Sequence, residues 1–229
     1  MTTITPSEAV ALVRKNLDEQ DPNGSVMYDS DNPTYGDNIS MNDIIKKNLP
    51  EAINAVHLAA PVQLLEGESV VASSPSVSTD GVLSFSLPSE SKFLRLVAFQ
   101  AADSAIVVTD PLAEASPEGR KQLNKYIRGR YDRPRLVLLQ GRHTEPAFKY
   151  YTINPSGSGF NGYRNTPSTA VAQLSVIKEQ FYASDAASYN ISRRLRQNII
   201  DYLTAMVMDT YGDQRSQTYI QRANNYPTI

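Results

Sequence analysis

The residues that carry most enzyme chemistry are scarce in this chain. Its 229 residues include no cysteine and only two histidines, His57 and His143, which lie far apart in the sequence. The absence of cysteine excludes disulfides, thiolate metal sites and cysteine nucleophiles, and two distant histidines exclude a multi-histidine metal centre. We therefore expect no metal, no cofactor and no enzymatic activity.

Short motifs that resemble known binding loops lack their essential residues. The Gly-Ser-Gly sequence at 157–159 is not followed by the Lys-Ser/Thr pair of a phosphate-binding loop, so we interpret it as part of a flexible linker. The Asp-Ser-Asp sequence at 29–31 resembles the start of a calcium loop, but Pro33 and a missing glutamate at loop position 12 break the pattern. These motifs predict no catalytic or metal site.

Neither a membrane span nor a targeting segment is expected from the sequence. No apolar run approaches 18 residues, and residues 1–10 lack the basic and apolar regions of a signal peptide. The expectation is a soluble intracellular or virion protein without a membrane partner.

Charge is distributed unevenly along the chain, although the formal net charge is −2. Residues 1–115 carry 6 basic and 16 acidic side chains, whereas residues 116–229 carry 16 basic and 8 acidic ones. Seven acidic and no basic residues lie within 18–43, and eight basic residues lie within 120–142. Such asymmetry is typical of subunits that attract one another head to side, of nucleic-acid binding, or of two solvated surfaces that pair within one chain.

The most distinctive local feature is the segment 128–135, Arg-Gly-Arg-Tyr-Asp-Arg-Pro-Arg. Arginines interleaved with tyrosine and glycine can stack on bases and grip phosphates, but arginine is also favoured for fixed ion pairs at protein interfaces. A solvated loop is the third interpretation of this segment. The candidate interface therefore combines acidic residues of the N-terminal part, residues of this segment and one aromatic near the C-terminus. They are Asp21, Asp29, Asp31, Asp37, Arg128, Arg130, Tyr131, Arg133, Arg135 and Tyr226.

The elements that must position these residues change type along the chain. Residues 1–61 predict two helices, the first capped by Thr5, with a polar loop at 21–40 that we interpret as an exposed acidic arm. Residues 62–153 show short β-type runs, which predict an inserted β module interrupted by a short helix at 116–129.

The last third of the chain is predicted to be helical again. Residues 154–168 form a linker rich in Gly, Ser, Asn and Pro. Apolar stripes, the first of which starts with Val171 and Leu174, then predict helices within 169–224, before an extended tail at 225–229. Amphipathic helices at both ends of the chain need partners for their apolar faces. The predicted fold class is α+β, a helical bundle of N- and C-terminal helices with an inserted small β-sheet module.

Several short sequences occur in a suggestive order. After the capped first helix, a second helix contains Asp-Ile-Ile at 43–45, and Phe-Leu-Arg-Leu-Val enters the β module at 93–97. Asn-Lys-Tyr-Ile-Arg-Gly at 124–129 leads into Arg-Pro-Arg-Leu-Val, Phe-Lys-Tyr-Tyr follows at 148–151, and a long helix carries Ile-Ile-Asp-Tyr-Leu at 199–203. This order resembles the head–tail connector, or neck-ring, proteins of tailed bacteriophages, in particular those of crAss-like phages of gut Bacteroidales.

The resemblance implies a non-enzymatic structural protein of the virion neck, assembled in the host cytoplasm. It implies a homo-oligomeric ring of twelve copies that connects portal to tail and continues the DNA channel. The implied partners are identical subunits, the portal protein, tail or further neck proteins, and genomic DNA that passes non-specifically through the lumen.

The charge pattern adds an expectation about the contact between subunits. Unequal flanks on one subunit allow heterologous contacts that close into a ring. The acidic arm of one subunit is therefore expected to meet the basic segment of the next. The alternative function is a nucleic-acid-binding protein that uses the basic segment 120–142.

Overall fold

The computed structural model describes seven stretches of the chain, and these form two compact units. The described residues are 1–17, 41–88, 92–124, 126–129, 133–139, 146–152 and 169–227. The first unit comprises Met1–Glu66 and Gln180–Ile229, and the second comprises Gly67–Glu179. The predicted acidic arm at 21–40 and the predicted linker at 154–168 lie outside the described residues.

The described residues form five α-helices and ten strands. The helices are α1 (Pro6–Asn16), α2 (Met41–Ala59), α3 (Pro117–Lys121), α4 (Arg196–Thr210) and α5 (Ser216–Ala223). The strands are β1 (Thr2–Ile4), β2 (Glu68–Ser69), β3 (Ser73–Val77), β4 (Leu83–Ser86), β5 (Phe93–Ala101), β6 (Leu112–Ala113), β7 (Arg135–Leu138), β8 (Ala147–Tyr151), β9 (Val171–Lys178) and β10 (Tyr189–Ile191).

The first unit is built mainly from α1, α2, α4 and α5. Helix α1 starts with the predicted capping box: Glu8 N donates to Thr5 Oγ1 at 3.2 Å, and Thr5 N donates to Glu8 Oε2 at 3.1 Å. Helix α2 packs on α1 and α4, and α4 packs on α5. Helices from the two ends of the chain thus bury their apolar faces against one another.

Helix α2 runs through Pro50 without a break. Proline removes one helical hydrogen bond and clashes with the preceding turn, which disfavours it inside a helix. In α2 the apolar stripe continues on both sides of the proline, and Ile45, Leu49, Ile53 and Val56 are at most 2% exposed. Burial of this stripe offsets the local cost.

The second unit is a pair of sheets around one aromatic core. One sheet has the order β2-β9-β5 and the other β3-β4-β8-β7-β6. The ring of Phe85 in β4 stacks on Phe99 in β5 at 5.0 Å between centroids and on Phe148 in β8 at 5.3 Å. All three rings are at most 3% exposed, so this unit has a hydrophobic core of its own.

The α+β class fits the structure, but the predicted architecture, a helical bundle with a small inserted sheet, is wrong. The β region forms sheets of three and five strands, and the mainly helical unit itself contains a two-stranded sheet in which β1 pairs antiparallel with β10. Strands therefore occur in both units, including β1, β9 and β10 outside the predicted β module at 62–153.

The prediction of helix from residue 169 is also wrong over its first part, because residues 171–178 are strand β9. Val171, Leu174 and Ile177 have helical spacing, but Leu174 and Val176 alternate as in a strand, and both are at most 1% exposed. Strand β9 pairs with β2 on one side and β5 on the other. These ladders satisfy its backbone groups, and its β-branched side chains suit a buried sheet.

The short helix predicted at 116–129 begins as expected but ends early. Ser116 caps α3 by accepting a hydrogen bond from Gly119 N at 3.0 Å, and Pro117 occupies the first turn. The helix ends at Lys121. The described residues that follow, 122–124 and 126–128, form turns and bends, and they are the centre of the candidate site.

Candidate interaction surface

The described residues 122–124 and 126–129 form a hydrogen-bonded loop that we call the apolar turn. The side chain of Gln122 is 5% exposed and joins both ends of this loop. Its Nε2 donates to the carbonyl of Glu118 at 3.0 Å, and its Oε1 accepts from Gly129 N at 2.7 Å. One buried amide therefore fixes the span of the turn.

Arg128 holds the same turn from inside the second unit. The structure places this predicted interface residue in the interior, 8% exposed, with Nη2 donating to the carbonyl oxygen of Asp80 in the loop between β3 and β4. Its Nε is also buried and makes no hydrogen bond to any of the described residues. Arg128 thus acts as an anchor for the turn and is not displayed on the surface.

Gly129 ends the turn where the chain passes closest to the sheet. A Cβ at this position would lie 2.6 Å from the carbonyl oxygen of Tyr151 and 2.7 Å from the backbone nitrogen of Arg135. Only glycine allows this approach, since side-chain carbons do not approach backbone atoms so closely. The turn is therefore packed tightly against the ends of β7 and β8.

Three large apolar side chains project from this fixed turn into solvent. Leu123 is 70% exposed, Tyr126 67% and Ile127 59%. Sequence reasoning missed this cluster because the i, i+3, i+4 spacing is typical of the buried face of a helix. The sequence did contain one sign that these side chains are not a buried helix face. One helical turn earlier, the same face would carry Gly119 and Arg120, neither of which is apolar.

Exposed basic side chains border the apolar turn in the sequence on both sides. They are Arg120, Lys121, Arg133 and Arg135. Lys121 forms an ion pair with Glu118 at 2.6 Å, but both side chains are more than half exposed, so the pair contributes little stability. Arg133 and Arg135, two of the predicted interface residues, are thus at the surface.

The other predicted interface residues are either in the first unit or undescribed. Tyr226, a residue of the first unit, is half-buried, and its hydroxyl oxygen is buried. Nearby, Asn198 Nδ2 in α4 donates to the carbonyls of Ala223 at 2.8 Å and Asn225 at 3.3 Å, which ties the start of the tail to the helix. The predicted residues outside the described ranges are Asp21, Asp29, Asp31, Asp37, Arg130 and Tyr131.

The fold redistributes the charge asymmetry between the two units. The first unit contains 9 basic and 14 acidic residues, a net charge of −5, and the second contains 13 and 10, a net charge of +3. The contrast is smaller than between the halves of the sequence because the range of the first unit joins the basic residues of 193–222 to residues 1–66. Six acidic residues of that range, within 18–37, lie outside the described residues. The two units still carry opposite signs.

An exposed aromatic pair lies just after β9. Phe181 is 49% and Tyr182 is 42% exposed. Tyr182 Oη donates to Asp185 Oδ1, and Lys46 Nζ donates to Asp185 Oδ2, both at 2.6 Å. These bonds lower the pKa of Asp185 and raise the pKa values of Lys46 and Tyr182. The contacts fasten the loop to α2 through a solvent-exposed ion pair.

His57 is a structural residue of the first unit. It is 1% exposed, and its Nε2 accepts a hydrogen bond from Ser192 N at 3.3 Å. Burial disfavours the imidazolium and lowers the pKa of His57 to about 4. The ring is therefore neutral near pH 7 and serves as a buried acceptor at the end of β10.

Metal sites, membrane helices and known families give no further assignment. Within the described ranges, no three His, Asp or Glu side chains gather as metal ligands, and no helix there has the length and apolar character needed to cross a membrane. A scan against models of known protein families finds no match, and no curated protein is significantly similar to the chain. The apolar turn with its basic border is thus the candidate site.

Proposed function

We propose that this protein is a non-enzymatic structural subunit that assembles with copies of itself through the surface around the apolar turn. The observation that carries the proposal is the display of Leu123, Tyr126 and Ile127 in solvent, next in sequence to exposed basic residues. Large apolar side chains exposed on one loop and flanked by charged residues are typical of protein interaction sites.

The rigidity of the turn supports a binding role. Gln122, Arg128 and Gly129 fix its backbone through three kinds of contact: a buried amide, a buried guanidinium and close backbone packing. A surface that is already ordered loses little conformational entropy on binding, so more of the contact energy appears as affinity.

Charge favours another copy of the chain as the partner. The apolar turn belongs to the unit of net charge +3, and the other unit has a net charge of −5. Parts of opposite net charge on one subunit favour head-to-side attraction between copies, and such heterologous contacts close into rings when the rotation between subunits allows it.

The more specific proposal is that the assembly is the connector ring between the portal and the tail of a bacteriophage. It rests on the sequence resemblance to neck-ring proteins. In this proposal twelve copies form the ring, the portal protein and tail or further neck proteins are the neighbours, and the genomic DNA passes through the lumen without sequence-specific contacts.

Charge reversal tests the proposed subunit contact. Because Arg133 and Arg135 are exposed beside the turn, the double variant R133E/R135E should abolish self-association measured by sedimentation velocity while leaving the circular dichroism spectrum unchanged. The matched control K47E/R194E makes the same change in charge at two exposed residues of the first unit and should assemble normally. Normal assembly of R133E/R135E would refute the proposed contact.

Nucleic-acid binding is the second candidate, because exposed arginines beside an exposed tyrosine can grip phosphates and stack on a base. If Arg120, Lys121, Arg133 and Arg135 contact four phosphates, log K for duplex DNA should fall with log salt with a slope of about −4. Absence of any mobility shift with DNA at low salt would rule this function out.

A further inference from the structure

The apolar turn presents a specific combination of chemistry to a partner. Its centre consists of one aromatic and two aliphatic side chains, each more than half exposed. In sequence, Arg120 and Lys121 precede this centre, and Arg133 and Arg135 follow it. A complementary ligand is a peptide with a short apolar run between acidic residues. Burial of the apolar run against the three side chains would stabilise the complex, and its acidic residues would align the peptide with the basic border.

The chain itself carries such a peptide. Between residues 18 and 43, where seven acidic and no basic residues occur, the longest apolar run is Val-Met-Tyr at 26–28. Asp21 precedes this run, and Asp29 and Asp31 follow it. The sequence 21–31 thus matches the turn in both respects, with apolar residues in the centre and charges of opposite sign on both flanks.

We infer that the apolar turn of one copy binds the segment 21–31 of a second copy, with Val26, Met27 and Tyr28 contacting Leu123, Tyr126 and Ile127. This inference rests on the proposed self-assembly and names the segment that one subunit contributes to the next. Methionine adapts to irregular apolar surfaces, and tyrosine provides a large contact area at small entropic cost. The acidic flanks meet the basic border of the turn.

The direct test uses a fluorescent peptide of residues 18–40 and the full chain carrying V26S/M27S/Y28S, so that its own segment does not compete. Fluorescence anisotropy should show binding that weakens as salt rises. Adding L123S/Y126S/I127S to the chain should weaken binding at least tenfold, and the same serine changes in the peptide should have a similar effect. Because all three turn side chains are exposed, these variants should keep the wild-type unfolding temperature.

The matched control is V71S, which removes an equally apolar side chain that is 83% exposed elsewhere in the second unit. It should leave peptide binding unchanged. Binding that does not occur, or that is unaffected by the turn variant, would overturn the inference. Binding of the chain to anionic phospholipid vesicles, lost in the turn variant and without peptide binding, would also overturn it and assign the turn to a membrane surface.

The mass of the wild-type chain in solution separates this inference from the proposed function. Self-association that survives both L123S/Y126S/I127S and V26S/M27S/Y28S would retain the proposed assembly but reject this contact. A wild-type chain that stays monomeric would reject the assembly, and the peptide titration would still decide whether the turn recognises the acidic segment.

Discussion

Single residues fix the conformation of the apolar turn, and the clearest example is Gly129. Its Cα faces the carbonyl oxygen of Tyr151 and the amide of Arg135 at distances that leave no room for a methyl group. Glycine in a sequence suggests a turn, but it does not reveal which backbone lies against it. This contact could be recognised only after the turn, β7 and β8 were placed together.

Substitution of Gly129 tests this close packing. G129A should destabilise the protein by about 2–3 kcal/mol, because the backbone must shift to relieve the overlap. G212A is the comparison: Gly212 has φ +70° but open space around the missing Cβ, so only conformational strain of about 1 kcal/mol is expected. Urea unfolding of both variants measures the difference. Equal losses would contradict the packing argument.

His57 gives the first unit a defined response to acid. Its pKa is about 4 in the folded chain and 6.5 as a free side chain, so between these pH values the unfolded chain binds a proton that the folded chain excludes. Above pH 6.5 the neutral ring costs the folded chain nothing. As the pH falls from 6.5 to 4, proton binding by the unfolded chain lowers the free energy of unfolding by about 3 kcal/mol.

The variant H57Q isolates that response, since its amide oxygen can replace the buried acceptor without titrating. The difference in unfolding free energy between wild type and H57Q should change by about 3 kcal/mol between pH 7 and pH 4, with wild type losing more. A constant difference across this range would show that His57 is protonated without penalty.

At the scale of elements, β9 shows where periodicity misleads. Its apolar residues fit both a helical and a strand pattern, and local sequence does not distinguish them. Residues 171–178 form a strand because β5 and β2, which lie far earlier in the chain, pair with them. By contrast, α1 and the start of α3 were predictable because their capping hydrogen bonds are local.

The burial pattern of β9 predicts that alanine substitution lowers stability strongly at one position and hardly at all at its neighbour. Leu174 is 1% exposed in the core of the second unit, so L174A should cost about 3 kcal/mol in unfolding free energy. The neighbouring Gln173 is exposed, and Q173A should change stability by less than about 0.5 kcal/mol. Comparable effects of the two changes in thermal unfolding would argue against the strand's orientation.

At the scale of the whole molecule, charge was predictable but its spatial arrangement was not. The sequence halves differ strongly in charge, yet the basic residues of 193–222 belong to the same unit as residues 1–66. The proposed function still uses part of the predicted basic segment 120–142, but it assigns the contact to different side chains. Arg128 is an interior anchor, and Leu123, Tyr126 and Ile127 are the displayed side chains.

The mass of the full chain in dilute solution tests the central proposal most directly. Mass photometry and sedimentation velocity on the 25.3 kDa chain at low salt should reveal one closed species whose copy number stays constant as concentration rises. Higher salt should dissociate it, because the proposed contact joins opposite charges. A species of 25.3 kDa at every concentration and salt level would contradict the account.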